Sequence, residues 1–132
     1  MDTELKRILY VEDDPSMQKL VNLVLETGGH YQITTYKTAK EALNQLPQID
    51  VQMILLDVML PDMDGIQLYN HIREMNTYQS TPIAFVTAKV EKHEIETYQK
   101  TGAIGVIVKP FVPTELTKTI RELWNTHLKS TH

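Results

Sequence analysis

Four places in the chain put a reactive or charged side chain at the end of a short apolar run. Glu12, Asp13 and Asp14 follow ILYV (8–11), and Asp57 follows MILL (53–56). Thr87 closes PIAFVT (82–87), and Lys109 follows IGVIV (104–108). Each alone has an ordinary explanation, since an aspartate after a strand is usually a turn former or helix cap. Asp14 takes that explanation. It precedes Pro15, and Asp at the N-cap with Pro at the first helical position is a routine helix start. Glu12 and Asp13 lie upstream of the cap, where capping does not explain them. In LLDVMLPDMDG (55–65), Asp57 directly ends the buried run, so a rigid element holds its carboxylate. Asp62 follows Pro61 and Asp64 precedes Gly65, which assigns both to the turn before the next helix, with at most a small part in solvating the site. Acids, one hydroxyl and one ammonium therefore gather round a single carboxylate, and Asp57 is the residue placed to do chemistry.

For these residues to meet, the apolar runs must lie side by side. Five runs are legible: 8–11, YQITTY (31–36), VQMILL (51–56), 82–87 and 104–108. Three are nearly continuous in apolar residues, as strands covered on both faces are; YQITTY is more polar and reads as an edge strand. Helical patterns separate them. Residues 15–27 carry Met17, Leu20, Val21 and Val24 on one stripe and stop at Gly28 and Gly29. Residues 38–46 open on Thr38 with Glu41 three later, a capping box. Helices over 65–75 and 91–101 follow, the latter ended by Gly102, and the last begins at Pro113 with Leu116, Ile120 and Leu123 on its core face. This alternation predicts an α/β fold, a flavodoxin-like doubly wound (βα)5 unit. Its five-stranded parallel sheet runs in the order 2-1-3-4-5 with helices on both faces. Ligands bind such sheets beyond the carboxyl ends of the strands, where the order reverses, and that edge carries the residues above.

The 132 residues suit one domain with one sizeable core. A net charge of -4 argues against a nucleic-acid face, which would show as a basic stripe. With no cysteine, disulfides and thiolate metal sites are excluded. The segment MDTELKRILYVEDD lacks the pattern of a signal peptide, and no apolar run is long enough to span a bilayer. The expectation is one soluble, cytoplasmic domain over 1–132, without membrane contact and without an output domain. None of His30, His71, His93, His127 and His132 pairs with another at a metal-binding spacing. Trp124 and Tyr98 are read as part-buried packing, with a partner-facing surface as the less favoured alternative.

The motifs YVEDDP (10–15), LLDVMLPDMDG (55–65), FVTA (85–88) and VKPF (108–111) resemble the receiver domain of two-component response regulators, in the family's order and spacing. The resemblance covers essentially the whole chain. It implies that Asp57 is the phosphoacceptor for a sensor histidine kinase or histidine phosphotransfer protein. It implies Mg²⁺ as cofactor, bound by Asp13 directly, by Glu12 through water, by Asp57 and by the backbone carbonyl of Met59. Thr87 matches the hydroxyl that contacts the phosphoryl group, Lys109 its cationic partner, and Lys109–Pro110 the family's cis peptide bond. Clustered carboxylates favour a hard cation with oxygen ligands, in agreement with these roles. A phosphorylated Asp57 is expected to draw in Thr87 and to switch the face of the fourth helix, fifth strand and fifth helix for a downstream protein target.

Two departures shape the expectation. The family usually carries Tyr or Phe three residues before the lysine, where this chain has Val106, so the signal is expected to travel through the Thr87–Val90 loop and the fourth helix instead. Met59 and Lys89 occupy positions that tune phosphoryl lifetime. A Mg²⁺-dependent phosphohydrolase with an aspartate nucleophile is the competing reading, but Met59 stands where such enzymes carry a second aspartate. An unphosphorylated pseudo-receiver is disfavoured by the complete set Glu12, Asp13, Asp57, Thr87 and Lys109. No acidic residues line TGAIGVIVKPF, so a monomer or weak dimer without nucleic-acid contact is expected.

Overall fold

Strands and helices alternate throughout the computed structural model, which describes residues 3–130. The order is β1 (Arg7–Val11), α1 (Pro15–Gly29), β2 (Gln32–Tyr36), α2 (Ala39–Gln45), β3 (Met53–Asp57), α3 (Gly65–Arg73), β4 (Ile83–Thr87), α4 (Lys92–Thr101), β5 (Gly105–Val108) and α5 (Pro113–Ser130). Single turns of 3-10 helix occur at Leu46–Gln48 and Asn76–Tyr78. All strand pairs are parallel and the order is β2-β1-β3-β4-β5, the flavodoxin-like topology that the alternation implies. The polar strand β2 lies at one edge and β5 at the other.

Strand residues alternate between two cores because successive side chains point to opposite faces. Leu9, Val11, Ile54, Leu56 and Phe85 pack with Ala39, Ala42, Leu68, Tyr69, Ile72 and Tyr98, the side of α2, α3 and α4. Ile8, Tyr10, Met53, Leu55 and Val86 pack with Val21, Leu25, Leu116, Ile120 and Trp124, the side of α1 and α5. The switch point lies between β1 and β3, whose C-terminal residues are in register at Val11 and Leu56. The next residues along are Glu12 and Asp57. Asp57 pairs with Val86, and Thr87 pairs with Val108. The four strand ends of interest are thus neighbours at one edge.

Local signals set most boundaries. Asp14 caps α1, its carboxylate accepting from Ser16 N–H, with Pro15 at the first helical position. Thr38 caps α2 through Glu41 N–H at 3.1 Å, and Asp64 caps α3 through Ile66 N–H at 2.6 Å. Gly102 ends α4 in the left-handed region at φ 93°. Helix α1 does not stop at the glycines. It includes both, and His30 takes the left-handed turn at φ 57°, donating its N–H to the Glu26 carbonyl. The glycines instead allow close approach: a Cβ on Gly28 would lie 2.7 Å from Thr117 Oγ1 of α5, and one on Gly29 would run into the Tyr31 ring. Two core faces also differ from the stripe read off the sequence. Leu25 joins Val21 as the buried part of α1, and Trp124, not Leu123, is buried on α5 with its indole N–H on the Thr3 carbonyl.

Gly65 holds α3 against the end of β3. A Cβ there would collide with the Asp57 carbonyl oxygen and lie 2.7 Å from Val58 Cα, both rigid backbone. Gly65→Ala is expected to destabilise the fold by about 2–3 kcal/mol, as overpacking against atoms that cannot yield does. Urea denaturation measures this, and an unchanged midpoint would contradict the close approach.

Candidate functional site

Asp57, the last residue of β3, is buried, and its two carboxylate oxygens have different partners. Oδ1 accepts from the Met59 backbone N–H at 3.0 Å, and Oδ2 accepts from Lys109 Nζ at 3.1 Å. Lys109 follows β5, and its own N–H donates to the Thr87 carbonyl, which fixes where the ammonium starts from. The same ammonium donates to Glu12 Oε1 at 2.5 Å. Glu12, one residue past β1, is almost wholly buried. Its Oε1 also accepts from the Tyr10 hydroxyl at 2.8 Å. Tyr10 and Glu12 lie two apart along an extended segment, so they point the same way. Asp13 is exposed, and carboxylate oxygens of Glu12, Asp13 and Asp57 all lie within 4.8 Å of one another.

The electrostatics follow from that crowding. Burial is the largest influence on Glu12 and raises its pKa; the neighbouring Asp57 carboxylate raises it further, against the lowering effect of Lys109 and Tyr10. Lys109 is pushed down by burial, but Glu12 and Asp57 outweigh this and hold its ammonium above the usual lysine range. Burial, followed by the Glu12 charge, raises the Tyr10 phenol, so this group stays a hydrogen-bond donor. One ammonium therefore serves two buried carboxylates, with a third beside them. An oxygen-only donor set of this kind, open to solvent on the Asp13 side, fits a hard divalent cation such as Mg²⁺ that retains water ligands.

Thr87 is buried at the end of β4. Its Oγ1 accepts from the Lys89 N–H at 3.0 Å. The Lys109–Pro110 peptide bond is cis. Met59 presents its side chain to solvent, and its N–H is engaged by Asp57.

The structure thus brings Glu12, Asp13, Asp57 and Lys109 together and sets Thr87 on the adjacent strand. Asp62 has a task the sequence reading did not assign. Its carboxylate accepts from the N–H groups of both Ala39 and Lys40, at 3.0 and 2.9 Å, capping α2 from across the fold. Burial is the largest single influence on it and raises its pKa, but the backbone hydrogen bonds and the Lys40 charge together outweigh burial, and the net shift is down. No local pattern predicts a contact made over more than twenty residues of chain. Tyr10 is the second omission, and the two-residue spacing to Glu12 was its signal. Among the histidines, His93 falls within 4.8 Å of Glu91 and Glu94 at the start of α4, a grouping that histidine-to-histidine spacing misses. Glu91 and His93 are exposed, and surface contacts (His93 Nδ1 with the Glu91 carboxylate at 3.7 Å, and the Lys89–Glu94 ion pair) account for it. His132 lies outside the described residues.

Comparison with known proteins gives the same class. The chemotaxis response regulator CheY4 of Vibrio cholerae superposes with a TM-score of 0.83 at 29% identity, covering 90% of this chain and 98% of that one. A CheY-like receiver domain protein from Methanospirillum hungatei gives 0.84 at 28% identity, covering 96% and 98%. Among curated sequences, the phosphate regulon transcriptional regulatory protein PhoB of Escherichia coli is 36% identical over 116 residues, 88% of this chain and 50% of its own length. The DNA-binding response regulator MtrA of Mycolicibacterium smegmatis is 33% identical over 121 residues, 92% of this chain and 51% of its own. The chain thus spans about half the length of these curated relatives. The family model of the response regulator receiver domain matches residues 8–121, and the chain belongs to that family, the receivers of two-component systems.

Because Glu12 has a raised pKa in the fold, the folded state binds its proton more tightly than the unfolded chain does. Its ionised form therefore costs stability, progressively so as pH rises above the ordinary glutamate value of 4.5 and fully once pH exceeds the folded value. Without divalent cation, Glu12→Gln is expected to be the more stable protein at neutral pH, with an advantage that shrinks as pH falls toward 4.5. Thermal melts in chelator across that range check it, and an advantage independent of pH would contradict the assignment.

Proposed function

We propose that this domain is a phosphoacceptor switch, phosphorylated on Asp57 by a sensor histidine kinase or a histidine phosphotransfer protein. The observation that carries the reading is the convergence of Asp57 with Glu12, Asp13 and the Lys109 ammonium at one sheet edge. In this reading an Asp57 oxygen attacks the phosphorus of a phosphohistidine. The P–N bond breaks, its electron pair stays on the imidazole, which takes up a proton, and an acyl phosphate forms on Asp57. Lys109, already donating to Asp57 Oδ2, turns to a phosphoryl oxygen, and Thr87 donates its hydroxyl to another. Glu12, Asp13, Asp57 and the backbone carbonyl of Met59 would hold Mg²⁺, which supplies the positive charge that offsets the acids and the phosphoryl oxygens. Attack of water on the acyl phosphate resets the protein.

The domain in this account acts only on itself and is not an enzyme with an external substrate. Residues 1–132 serve as a single receiver unit, monomeric or weakly dimeric and cytoplasmic. Its phosphorylation alters the α4, β5 and α5 face for a downstream protein, without nucleic-acid contact of its own. No helix among the described residues is long and apolar enough to cross a membrane.

Incubation with acetyl phosphate and Mg²⁺, followed by intact mass measurement, tests the reading. One phosphoryl adduct is expected, absent in Asp57→Asn and absent in chelator. Lys109→Met is expected to form it about a hundredfold more slowly, the scale of losing one preorganised charge at a reacting centre. Sustained phosphate release from assorted monoesters would point to a phosphohydrolase instead, and no adduct at all to an interaction module.

A further inference from the structure

Tyr10 is wholly buried in β1, in the core that includes Leu55, Val86 and Leu116 on the side of α1 and α5. The polar end of its ring meets the site: the hydroxyl donates to Glu12 Oε1 at 2.8 Å. That oxygen has a second donor, the Lys109 ammonium at 2.5 Å, which also donates to Asp57 Oδ2 at 3.1 Å. The rest of Glu12 is tied down. Its N–H donates to the Tyr36 carbonyl at 3.0 Å, its own carbonyl accepts from Gln18 Nε2, and Oε2 accepts from the Asp14 N–H at 3.4 Å. Glu12 is therefore not free to follow Lys109 if the ammonium moves. At 1% exposure it has no bulk water to replace a lost donor either. Burial, then the Glu12 charge, raises the Tyr10 phenol, so its proton stays available to Glu12.

We propose that Tyr10 is a positioning residue for phosphoryl transfer: it alone holds Glu12 Oε1 once Lys109 leaves that oxygen for the phosphoryl group. The inference rests on the reading of Asp57 as phosphoacceptor. The argument is one of donor count. In the resting site Glu12 Oε1 has two donors, one mobile and one fixed. The lysine is the mobile one, a point charge on a flexible stem. An acyl phosphate on Asp57 adds anionic oxygens beside it and draws the ammonium away from Glu12. The tyrosine is the fixed one, because its ring belongs to a core strand and its hydroxyl cannot travel with the lysine. Without that hydroxyl, the move leaves a buried, charged oxygen with no donor, and its full desolvation penalty opposes the transfer. With it, Lys109 is released at the cost of one of two contacts. A hydroxyl present only to satisfy itself in the core would support stability and have no effect on this exchange.

The test uses beryllofluoride, which stands in for the phosphoryl group, with the whole chain and Mg²⁺ saturating for each variant. Affinity for the mimic is measured in wild type, Tyr10→Phe, Lys109→Met and the double variant. Tyr10→Phe removes one oxygen and keeps the ring. It is expected to bind the mimic about tenfold more weakly, the scale of one hydrogen bond to a charged group. In the Lys109→Met background the same change is expected to have no effect, because no lysine exchanges partners there. Rates of adduct formation with acetyl phosphate follow the same pattern and decide the matter if Lys109→Met binds the mimic too weakly to measure. A crystal structure of wild type with the mimic decides it without any variant: the Tyr10 hydroxyl stays on Glu12 Oε1, and Lys109 Nζ has moved to a fluorine. Wild-type affinity in Tyr10→Phe, an equal loss in both backgrounds, or Lys109 still on Glu12 in the mimic-bound structure would overturn the inference while leaving the phosphoacceptor intact. Failure of the wild type itself to bind the mimic would overturn both.

Discussion

Two buried carboxylates share one ammonium, with a third carboxylate beside them, and the site's properties follow from that imbalance. Lys109 donates to Glu12 and Asp57 at once, while oxygens of Glu12, Asp13 and Asp57 stay within 4.8 Å of one another. Repulsion among such groups grows as solvent is excluded, and burial together with Asp57 raises the Glu12 pKa accordingly. The folded protein therefore keeps a local excess of negative charge that a hard cation would relieve. The same arrangement leaves an Asp57 oxygen beside an ammonium that can pass to an incoming anionic group.

The fold enforces the imbalance through backbone that the charges do not control. Three apolar strands, covered on both faces, end at Val11, Asp57 and Thr87, and the reversal of strand order opens a crevice between the first two. Gly65 lets α3 close on Asp57 and Val58, and Asp62 draws the same loop onto the start of α2. Tyr10 reaches Glu12 from within the core and satisfies it with a neutral donor. None of these parts can relax to separate the acids without breaking packing or caps.

Much of this was legible in the amino-acid order because it rests on short-range rules. The apolar runs, the Asp14–Pro15 and Thr38–Glu41 helix starts and the Gly102 stop are local, and together they give topology and sheet edge. With the edge known, Glu12, Asp13, Asp57, Thr87 and Lys109 follow as the residues just at or past it. What escaped depends on contacts distant in sequence. Asp62 caps a helix more than twenty residues upstream. Gly28 and Gly29 read as a helix stop but serve close contacts with Thr117 and Tyr31. Tyr98 sits in a largely polar helix, and nothing in that pattern shows that its ring passes under Lys89 to meet Phe85.

The most direct measurement of the central claim is stability as a function of Mg²⁺ concentration, by chemical denaturation at neutral pH. If the acids form one charge-crowded nest, stability rises by about 1.4 kcal/mol for each tenfold increase in Mg²⁺ above its dissociation constant. Asp13→Asn should then shift the onset to higher concentration. A wild-type stability that stays flat across the titration, or is matched by Asp13→Asn, would contradict it.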